Sequence, residues 1–232
     1  MKTRTLVSIC ATTLVGLGMG ATVALAGLNA GTGIVGSKHD MRRQSPEKYD
    51  RVCAYCHTPH HAIQDATADY LPLWAHQLTT LTYQPYASPT LVANITDPIA
   101  GPSRLCMSCH DGVIAVDQHY NISGSVVKTG DSFGQIAIAN GTGDLTNDHP
   151  IGFNYADVAA QMANAIKPPS SQFLGNPNGT KISDNLVNGN MTCATCHEVH
   201  NKDNVADANN TYNYFLYAPE SGSQICLSCH IK

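Results

Sequence analysis

The chain has 232 residues, of which 43% are apolar, 13% charged and 6% aromatic, and its formal net charge is −4. This composition argues against a disordered chain and against a membrane bundle, and no basic stripe is present that could bind nucleic acid. The low charged content predicts a loop-rich protein with few long helices. The nine cysteines are the unusual feature, because eight of them occur in pairs.

Residues 1–26 have the pattern of a cleaved secretory signal peptide. The pattern consists of a basic start, an apolar centre and a small-residue cleavage site, formed by Lys2 and Arg4, by Leu6–Ala24, and by Ala24-Leu25-Ala26. We therefore expect an exported protein with a single domain over residues 27–232, in which Cys10 has been lost with the signal peptide. A retained membrane anchor is the alternative, but Thr and Gly residues interrupt the apolar centre, and no second run is long enough to span a bilayer.

The eight remaining cysteines form four copies of the motif Cys-x-x-Cys-His. In this motif the two thiols attach to one haem as thioethers, and the histidine becomes the proximal ligand of its iron. We therefore predict four covalently bound haem c groups. The attachment residues are Cys53, Cys56, Cys106, Cys109, Cys193, Cys196, Cys226 and Cys229, and the proximal histidines are His57, His110, His197 and His230.

Disulfides and zinc sites are the two competing interpretations of the cysteine pairs. Neither requires a histidine directly after every pair. With 11 histidines in 232 residues, four such coincidences have a probability of roughly one in two hundred thousand. The motifs therefore favour haem over both alternatives.

Four haems predict an unusual fold, in which the macrocycles form most of the core. We expect a mostly irregular chain with short α-helices and few β-strands, wrapped around a chain of four haems. A short helix is predicted to start at Pro102-Ser103, carry Cys106–His110 and stop near Gly112, and a second helix is predicted over Tyr155–Ile166. Residues 125–128 and 135–139 are predicted to form a hairpin.

The second axial ligand of each iron is expected to be histidine. Seven histidines remain beyond the proximal four, whereas few methionines are free to act as ligands. His60 and His200 each follow a proximal histidine by three residues; if that stretch is helical, they point toward an adjacent haem. His149 precedes a proline that fixes its approach. His39 and His76 are further candidates, and His61 and His119 are expected at the surface.

Several runs of the sequence resemble those of multihaem c-type cytochromes from metal-reducing microbes. These runs are Lys38-His39-Asp40, CAYCHTPH at 53–60, Pro72-Leu73-Trp74, CMSCHDG at 106–112, Asp148-His149-Pro150, CATCHEVH at 193–200 and CLSCHIK at 226–232. The similarity spans essentially all of residues 27–232, and it is greatest to the tetrahaem cytochromes that form extracellular filaments, or nanowires.

The resemblance implies an electron-transfer protein rather than an enzyme, with bis-histidine haems that continue from one subunit to the next. It also implies that one iron takes its distal histidine from a neighbouring subunit, and His60 matches the donor position. His39 is the rival donor, since it lies on a Gly-rich arm nearer the N-terminus. The implied partners are further copies of the chain, redox partner cytochromes and extracellular metal oxides. A soluble periplasmic shuttle is the alternative function, and a multihaem oxidoreductase is a less favoured one.

Overall fold

The structure is a computed structural model that describes residues 29–43, 50–120, 122–128, 137–209 and 213–232. The predicted signal peptide lies outside the described residues. Four short α-helices occur in the described part of the chain: α1 (Pro102–His110), α2 (Tyr155–Gln161), α3 (Cys193–Cys196) and α4 (Gln224–Cys229). There are two strands, β1 (Phe153–Asn154) and β2 (Asn190–Met191), and four 3₁₀ helices, at Met41–Arg43, Ile138–Gly141, Ile182–Asn185 and Ser221–Ser223. The prediction of a mostly irregular chain with short helices and few strands is confirmed.

Helix α1 forms as the sequence predicts. Pro102 occupies its first turn, where its missing N–H costs nothing, and Gly101 precedes it with φ 59°. The Gly101 amide donates to both carboxylate oxygens of Asp69 at 3.0 and 2.9 Å, and Arg104 forms an ion pair with Asp97. These contacts anchor the start of the helix, and its last turn carries the second Cys-x-x-Cys-His motif.

Helix α2 is shorter than predicted. The Asn154 side chain caps it by accepting from the Asp157 amide at 3.2 Å, but the helix ends at Gln161 rather than Ile166. The next segment instead pairs with the C-terminal residues: Lys167 donates to the Cys229 carbonyl, and Ile231 donates to the Ala165 carbonyl. A single turn, closed by the Ile166 amide and the Met162 carbonyl at 2.8 Å, and these tertiary hydrogen bonds have therefore taken the place of a regular helical end.

Only part of the predicted hairpin can be compared with the structure, because residues 129–136, its turn and the start of its second strand, lie outside the described residues. Val126 accepts a backbone hydrogen bond from Val116, and Val127 bridges to Ala115, so residues 125–128 pair with the preceding segment. Asp117 causes this return, because its carboxylate accepts from the amides of Ser125 and Val126, each at 2.8 Å. The described end of the other predicted strand begins the 3₁₀ helix at Ile138–Gly141.

The buried apolar residues form three separate clusters. The largest includes Phe153, Tyr155, Phe173 and Ile182 and contacts β1, β2 and α2. A second contains Tyr83, Ile99, Met107 and Leu145, and a third contains Met41, Tyr55 and Val116. Each cluster includes or packs against residues of the cysteine motifs. Among the residues that the structure describes, no helix is long and apolar enough to cross a membrane.

Candidate haem-binding sites

A tight backbone turn gives the cysteine motifs a common geometry. In three of the four motifs the histidine amide donates to the carbonyl of the first cysteine: His57 to Cys53 at 2.8 Å, His197 to Cys193 at 3.1 Å and His230 to Cys226 at 2.9 Å. The second motif lies within α1. One helical turn places the two cysteines, three residues apart, on the same face. Both thiols of a motif can therefore reach one macrocycle.

Three of the four motif histidines face a second histidine across a similar distance. His57 and His200 have ring centroids 6.3 Å apart, His39 and His110 6.1 Å, and His149 and His230 6.4 Å. Two imidazoles that bind one metal ion from opposite sides, with metal–nitrogen bonds of about 2.0–2.1 Å, have centroids roughly 6 Å apart. The spacing of these three pairs is therefore suited to two axial ligands of a single iron.

Backbone carbonyls orient the rings of two motif histidines. The Nδ1 atom of His57 lies 2.7 Å from the Pro72 carbonyl, and that of His197 lies 2.7 Å from the Tyr214 carbonyl. When a carbonyl accepts from Nδ1–H, the lone pair is on Nε2, which is then available to a metal. Trp74 packs edge-on against His57, with centroids 5.7 Å apart. The Pro72-Leu73-Trp74 run therefore lies at the first motif.

His39 is held by aromatic contact and by burial of its ring. It stacks on Phe215 with centroids 4.7 Å apart, and its Nδ1 atom is buried without a hydrogen-bond partner in the described structure. Burial and the neighbouring His110 lower the pKa of His39 to about 4. A ring that stays neutral keeps the lone pair that an axial ligand needs.

His200 reaches the first motif although it belongs to the third. The helical spacing considered for the His197–His200 stretch is wrong, because α3 ends at Cys196 and His197 is extended. A turn closed by the Asn201 amide and the Glu198 carbonyl at 3.0 Å follows His197, and His200 in this turn lies beside His57. Glu198 fixes it there, accepting from the His200 amide at 2.9 Å and lying 3.2 Å from its Nδ1 atom. This contact raises the pKa of His200.

His149 approaches the fourth motif from the loop before β1. Its Nδ1 atom lies 3.0 Å from the carbonyl of Pro150, the residue that was expected to fix its approach. Burial lowers the pKa of His149, which keeps the ring neutral near neutral pH. In His149 and His200 the Nδ1 atom thus lies near an oxygen, and Nε2 remains available to a metal.

The third motif lacks a comparable pair. No second histidine ring is paired with His197 among the residues that the structure describes. Of the four histidines that are left, His60 and His61 are adjacent and exposed. Within the described ranges, one motif histidine therefore has no second histidine ring beside it, and two exposed histidines are paired with no motif histidine.

The two other histidines are buried. Both nitrogens of His76 lie 3.0 Å from backbone carbonyls, of Gln77 and Ala115, and its Nε2 atom also lies 3.5 Å from the Cys109 sulfur of the second motif. His119 was expected at the surface, and this is wrong: only 4% of it is exposed, and it packs on Tyr55 with centroids 4.6 Å apart. The placement of His76 as an axial ligand stays a prediction that the observed pairs do not favour.

Cysteines of consecutive motifs lie close together. Cys56 and Cys109 pack against the same apolar cluster, and so do Cys196 and Cys229 in the largest cluster. Between these two groups, the Cys193 amide at the start of α3 donates to the Ser103 hydroxyl of α1 at 3.0 Å, and the neighbouring Cys106 side chain lowers the pKa of the Cys193 thiol. The four motifs therefore follow one another through the molecule in their sequence order.

The donor set fits the predicted cofactor. Each motif supplies two thiols and a histidine, three motifs have a second histidine, and His39 has a buried ring nitrogen without a hydrogen-bond partner. In the part of the chain that the structure describes, no three His, Cys, Asp or Glu side chains converge as for a bare metal ion. The histidines approach in twos instead, and two axial ligands complete a haem iron.

Some residues that shape the sites carry no sequence signal. The carbonyls of Pro72 and Tyr214 act through the backbone, and any residue could supply them. Phe215 stacks on His39 from a position 176 residues away, so only the fold brings them together.

Comparison with known proteins identifies no relative of the chain: no protein-family model matches it, and the search of curated proteins finds no match.

Proposed function

We propose that the chain is a tetrahaem c-type cytochrome that transfers electrons by hopping from haem to haem. The observation that carries this proposal is the spacing of the three histidine pairs, 6.1–6.4 Å between ring centroids, each pair containing the histidine of a Cys-x-x-Cys-His motif. A haem with two protein ligands transfers electrons without binding a substrate. The iron supplies the change of oxidation state, and the residues of the chain fix its position and its ligands.

The path through one subunit follows the order of the motifs. Shared apolar clusters join the first motif to the second and the third to the fourth, and the Ser103–Cys193 hydrogen bond joins the helices of the second and third motifs. Haems attached at these positions would be neighbours, as short hopping steps require. The resemblance to multihaem cytochromes and the signal peptide pattern support an exported location for this path.

The count of haems and their spin state test the proposal. Protein matured with the cytochrome c machinery should carry four haems per chain in a pyridine haemochrome assay, and denaturation should not release them. Electron paramagnetic resonance should show low-spin ferric haem for at least the three paired sites. Fewer than four haems would contradict the attachment sites, and several high-spin haems would contradict the histidine pairs.

We further propose that the chain polymerises into an extracellular filament in which His60 of one subunit is the distal ligand at the His197 site of the next. Two observations support this: His197 has no histidine partner among the described residues, and His60 is exposed. Because His39 faces His110, it is less suited to act as the donor. When each subunit donates a ligand to the next, the contact between subunits is head-to-tail. Repeating this contact builds an open filament if the rotation between subunits does not close a ring.

His60→Ala tests the filament, and His61→Ala is the matched control because it removes the adjacent exposed histidine. The His60 variant should remain monomeric in negative-stain micrographs and should convert one haem in four to the high-spin form. The His61 variant should polymerise like the wild type. If the His60 variant still forms low-spin filaments, the donor is another residue.

The wild-type protein distinguishes the alternative functions. If it stays monomeric at high concentration with four low-spin haems, it is a soluble shuttle. If it is monomeric with one high-spin haem, the His197 site has an open coordination position, and the oxidoreductase becomes the better hypothesis.

A further inference from the structure

A buried asparagine joins the N-terminal end of the described chain to the loop after the third motif. Asn201 is 1% exposed, and its side-chain amide donates to the carbonyls of Asn29 and Gly33 at 3.0 Å each and lies 3.4 Å from the Thr32 hydroxyl. Its own carbonyl accepts from the Gly33 amide at 3.3 Å. Nearby, the side-chain oxygen of Asn204 accepts from the Gly31 amide at 2.8 Å. We call residues 29–43 the N-terminal arm.

The backbone conformation at position 201 also favours asparagine. Its φ of 55° lies in the left-handed region, which asparagine tolerates better than most other residues. This conformation turns the chain directly after His200 and places the side-chain amide of Asn201 against the N-terminal arm. Asn201 therefore directly follows one candidate ligand, His200, and hydrogen-bonds the N-terminal arm, which carries another candidate ligand, His39.

The arm is held rigid between Asn201 and His39 by short hydrogen bonds. Asp40 accepts from the Gly36 amide at 2.7 Å, and the Ser37 hydroxyl accepts from the His39 amide at 3.1 Å. The ring of His39 contacts the backbone of Val199, at the start of the loop that contains Asn201. Movement of the arm away from this loop would therefore carry His39 away from His110.

We infer that Asn201 is a positioning residue that holds His39 as the distal ligand at the second motif, by fixing the N-terminal arm to the loop that presents His200. This inference rests on the proposed tetrahaem cytochrome, because it assigns a role around two of its axial ligands. Asn201 touches no iron. It acts through its three contacts with the arm.

The test replaces Asn201 by Asp, which has the same shape and also tolerates the left-handed conformation. In Asn201→Asp an oxygen replaces the donating amide and faces three oxygen atoms of the arm, so the hydrogen bonds become repulsive contacts. Asn204→Asp is the matched control, because it makes the same chemical change in the same loop but keeps the oxygen that accepts from Gly31. The Nδ2 atom of Asn204, which this change removes, has no hydrogen-bond partner in the described structure.

The readout is the spin state of the second haem in the fully matured protein. His39→Ala defines the full signal, with one haem in four converted from low-spin to high-spin. Asn201→Asp should produce the same high-spin signal in part or in full, and added imidazole should reverse it by filling the open position. Asn204→Asp should match the wild type. The haem count per chain should stay at four in every variant, since the thioether bonds are not affected.

The inference is overturned if Asn201→Asp keeps all its haems low-spin. If that variant does not accumulate, hydrogen exchange of the wild-type protein decides: the amides of Gly31 and Gly33 should be protected, and exchange at unprotected rates would exclude a fixed arm. The proposed function is tested separately by the wild type. If the wild-type protein does not carry four haems that can be low-spin, the proposed cytochrome is contradicted. If the wild type is as expected but Asn201→Asp has no effect on the spin state, only the role of Asn201 is contradicted.

Discussion

Gly152 shows how a single backbone position holds one of the candidate ligand loops. It lies three residues after His149 with φ +78°, and its amide donates to the Met191 carbonyl at 2.8 Å. A Cβ atom added here would lie 2.1 Å from the Asp97 carbonyl oxygen and 2.7 Å from the Pro98 Cα. No side chain fits between the His149 loop and the turn that precedes α1.

We expect Gly152→Ala to destabilise the protein by about 2–4 kcal/mol, because the positive φ and the overlap with backbone atoms both add to the cost. Gly222→Ala is the matched control: its φ is +64°, but its Cβ would meet nothing within 4 Å. That variant should lose only about 1 kcal/mol. Differential scanning calorimetry of the two variants measures the difference, and equal melting temperatures would show that the Asp97 contact is not tight in solution.

At the scale of elements, a buried hydroxyl joins the helices of the second and third motifs. Ser103 in α1 is fully buried, and its oxygen accepts from the Cys193 amide at the start of α3 at 3.0 Å. This amide belongs to the first helical turn, where it has no partner within its own helix. The hydrogen bond therefore fixes α1 against α3, and with them Cys106 against Cys193.

Ser103→Ala should lower the free energy of unfolding by about 1–3 kcal/mol, because it leaves the Cys193 amide buried without an acceptor. Ser88→Ala, which removes an exposed hydroxyl bonded only locally to Thr90 and its amide, should change stability by less than about 0.5 kcal/mol. Denaturant titration monitored by circular dichroism compares them. An unfolding midpoint for Ser103→Ala equal to that of Ser88→Ala would argue against the α1–α3 link.

A second link between elements depends on pH. Asp207 accepts from the Ser221 hydroxyl and from the amides of Ser221 and Asn209, each amide at 3.0 Å, and these bonds lower the pKa of Asp207. They connect the loop after the third motif with the 3₁₀ helix that leads into α4. The pKa of Asp207 is lower in the folded state than in the unfolded state. The hydrogen bonds of its carboxylate therefore contribute fully to stability above the unfolded-state pKa, and this contribution disappears as the pH falls through the folded-state pKa.

Asp207→Asn should therefore have a lower melting temperature than the wild type at pH 7, and the difference should shrink as the pH falls below about 4. Asp157→Asn is the control, because Asp157 is exposed and its backbone amide, not its carboxylate, forms the hydrogen bond with Asn154. Within the described residues, its carboxylate is stabilised only by the N-terminus of α2, so the convergence should be much smaller. A difference for Asp207→Asn that is constant from pH 7 to pH 3 would contradict the hydrogen-bonded carboxylate.

The same elements show which parts of the structure can be predicted from the sequence. The start of α1 was predictable, since Pro102 and the motif at its end are local signals. The end of α2 was not, because hydrogen bonds to residues more than 60 positions away replaced its last turn. The axial pairs have the same limit: the motif histidines are visible in the sequence, but the partners of His57 and His110 lie 143 and 71 residues away. Such pairings depend on the path of the whole chain.

At the scale of the whole molecule, the buried apolar residues in the described part of the chain do not form one continuous core. They form three clusters, and the cysteines of the motifs lie in or against two of them. Several polar residues, such as Thr58, Asn201 and Asp111, are also almost fully buried. A chain of this size with a divided core is poorly stabilised by its side chains alone, so we expect the covalently attached haems to supply most of the remaining buried apolar surface.

The fold should therefore depend on haem attachment. Chain expressed without the cytochrome maturation machinery should lack protected amides and should be digested rapidly by protease, while the matured protein resists digestion. A partial variant gives the sharper test: replacing Cys226 and Cys229 by Ala removes one attachment site and should loosen first the largest cluster, where Cys229 packs with Tyr155 and Phe173. Hydrogen exchange should then rise around β1, β2 and α2 but remain low around α1. If the haem-free chain is instead protease-resistant and unfolds cooperatively on heating, the side chains alone are sufficient to stabilise the fold, and the haems are not its core.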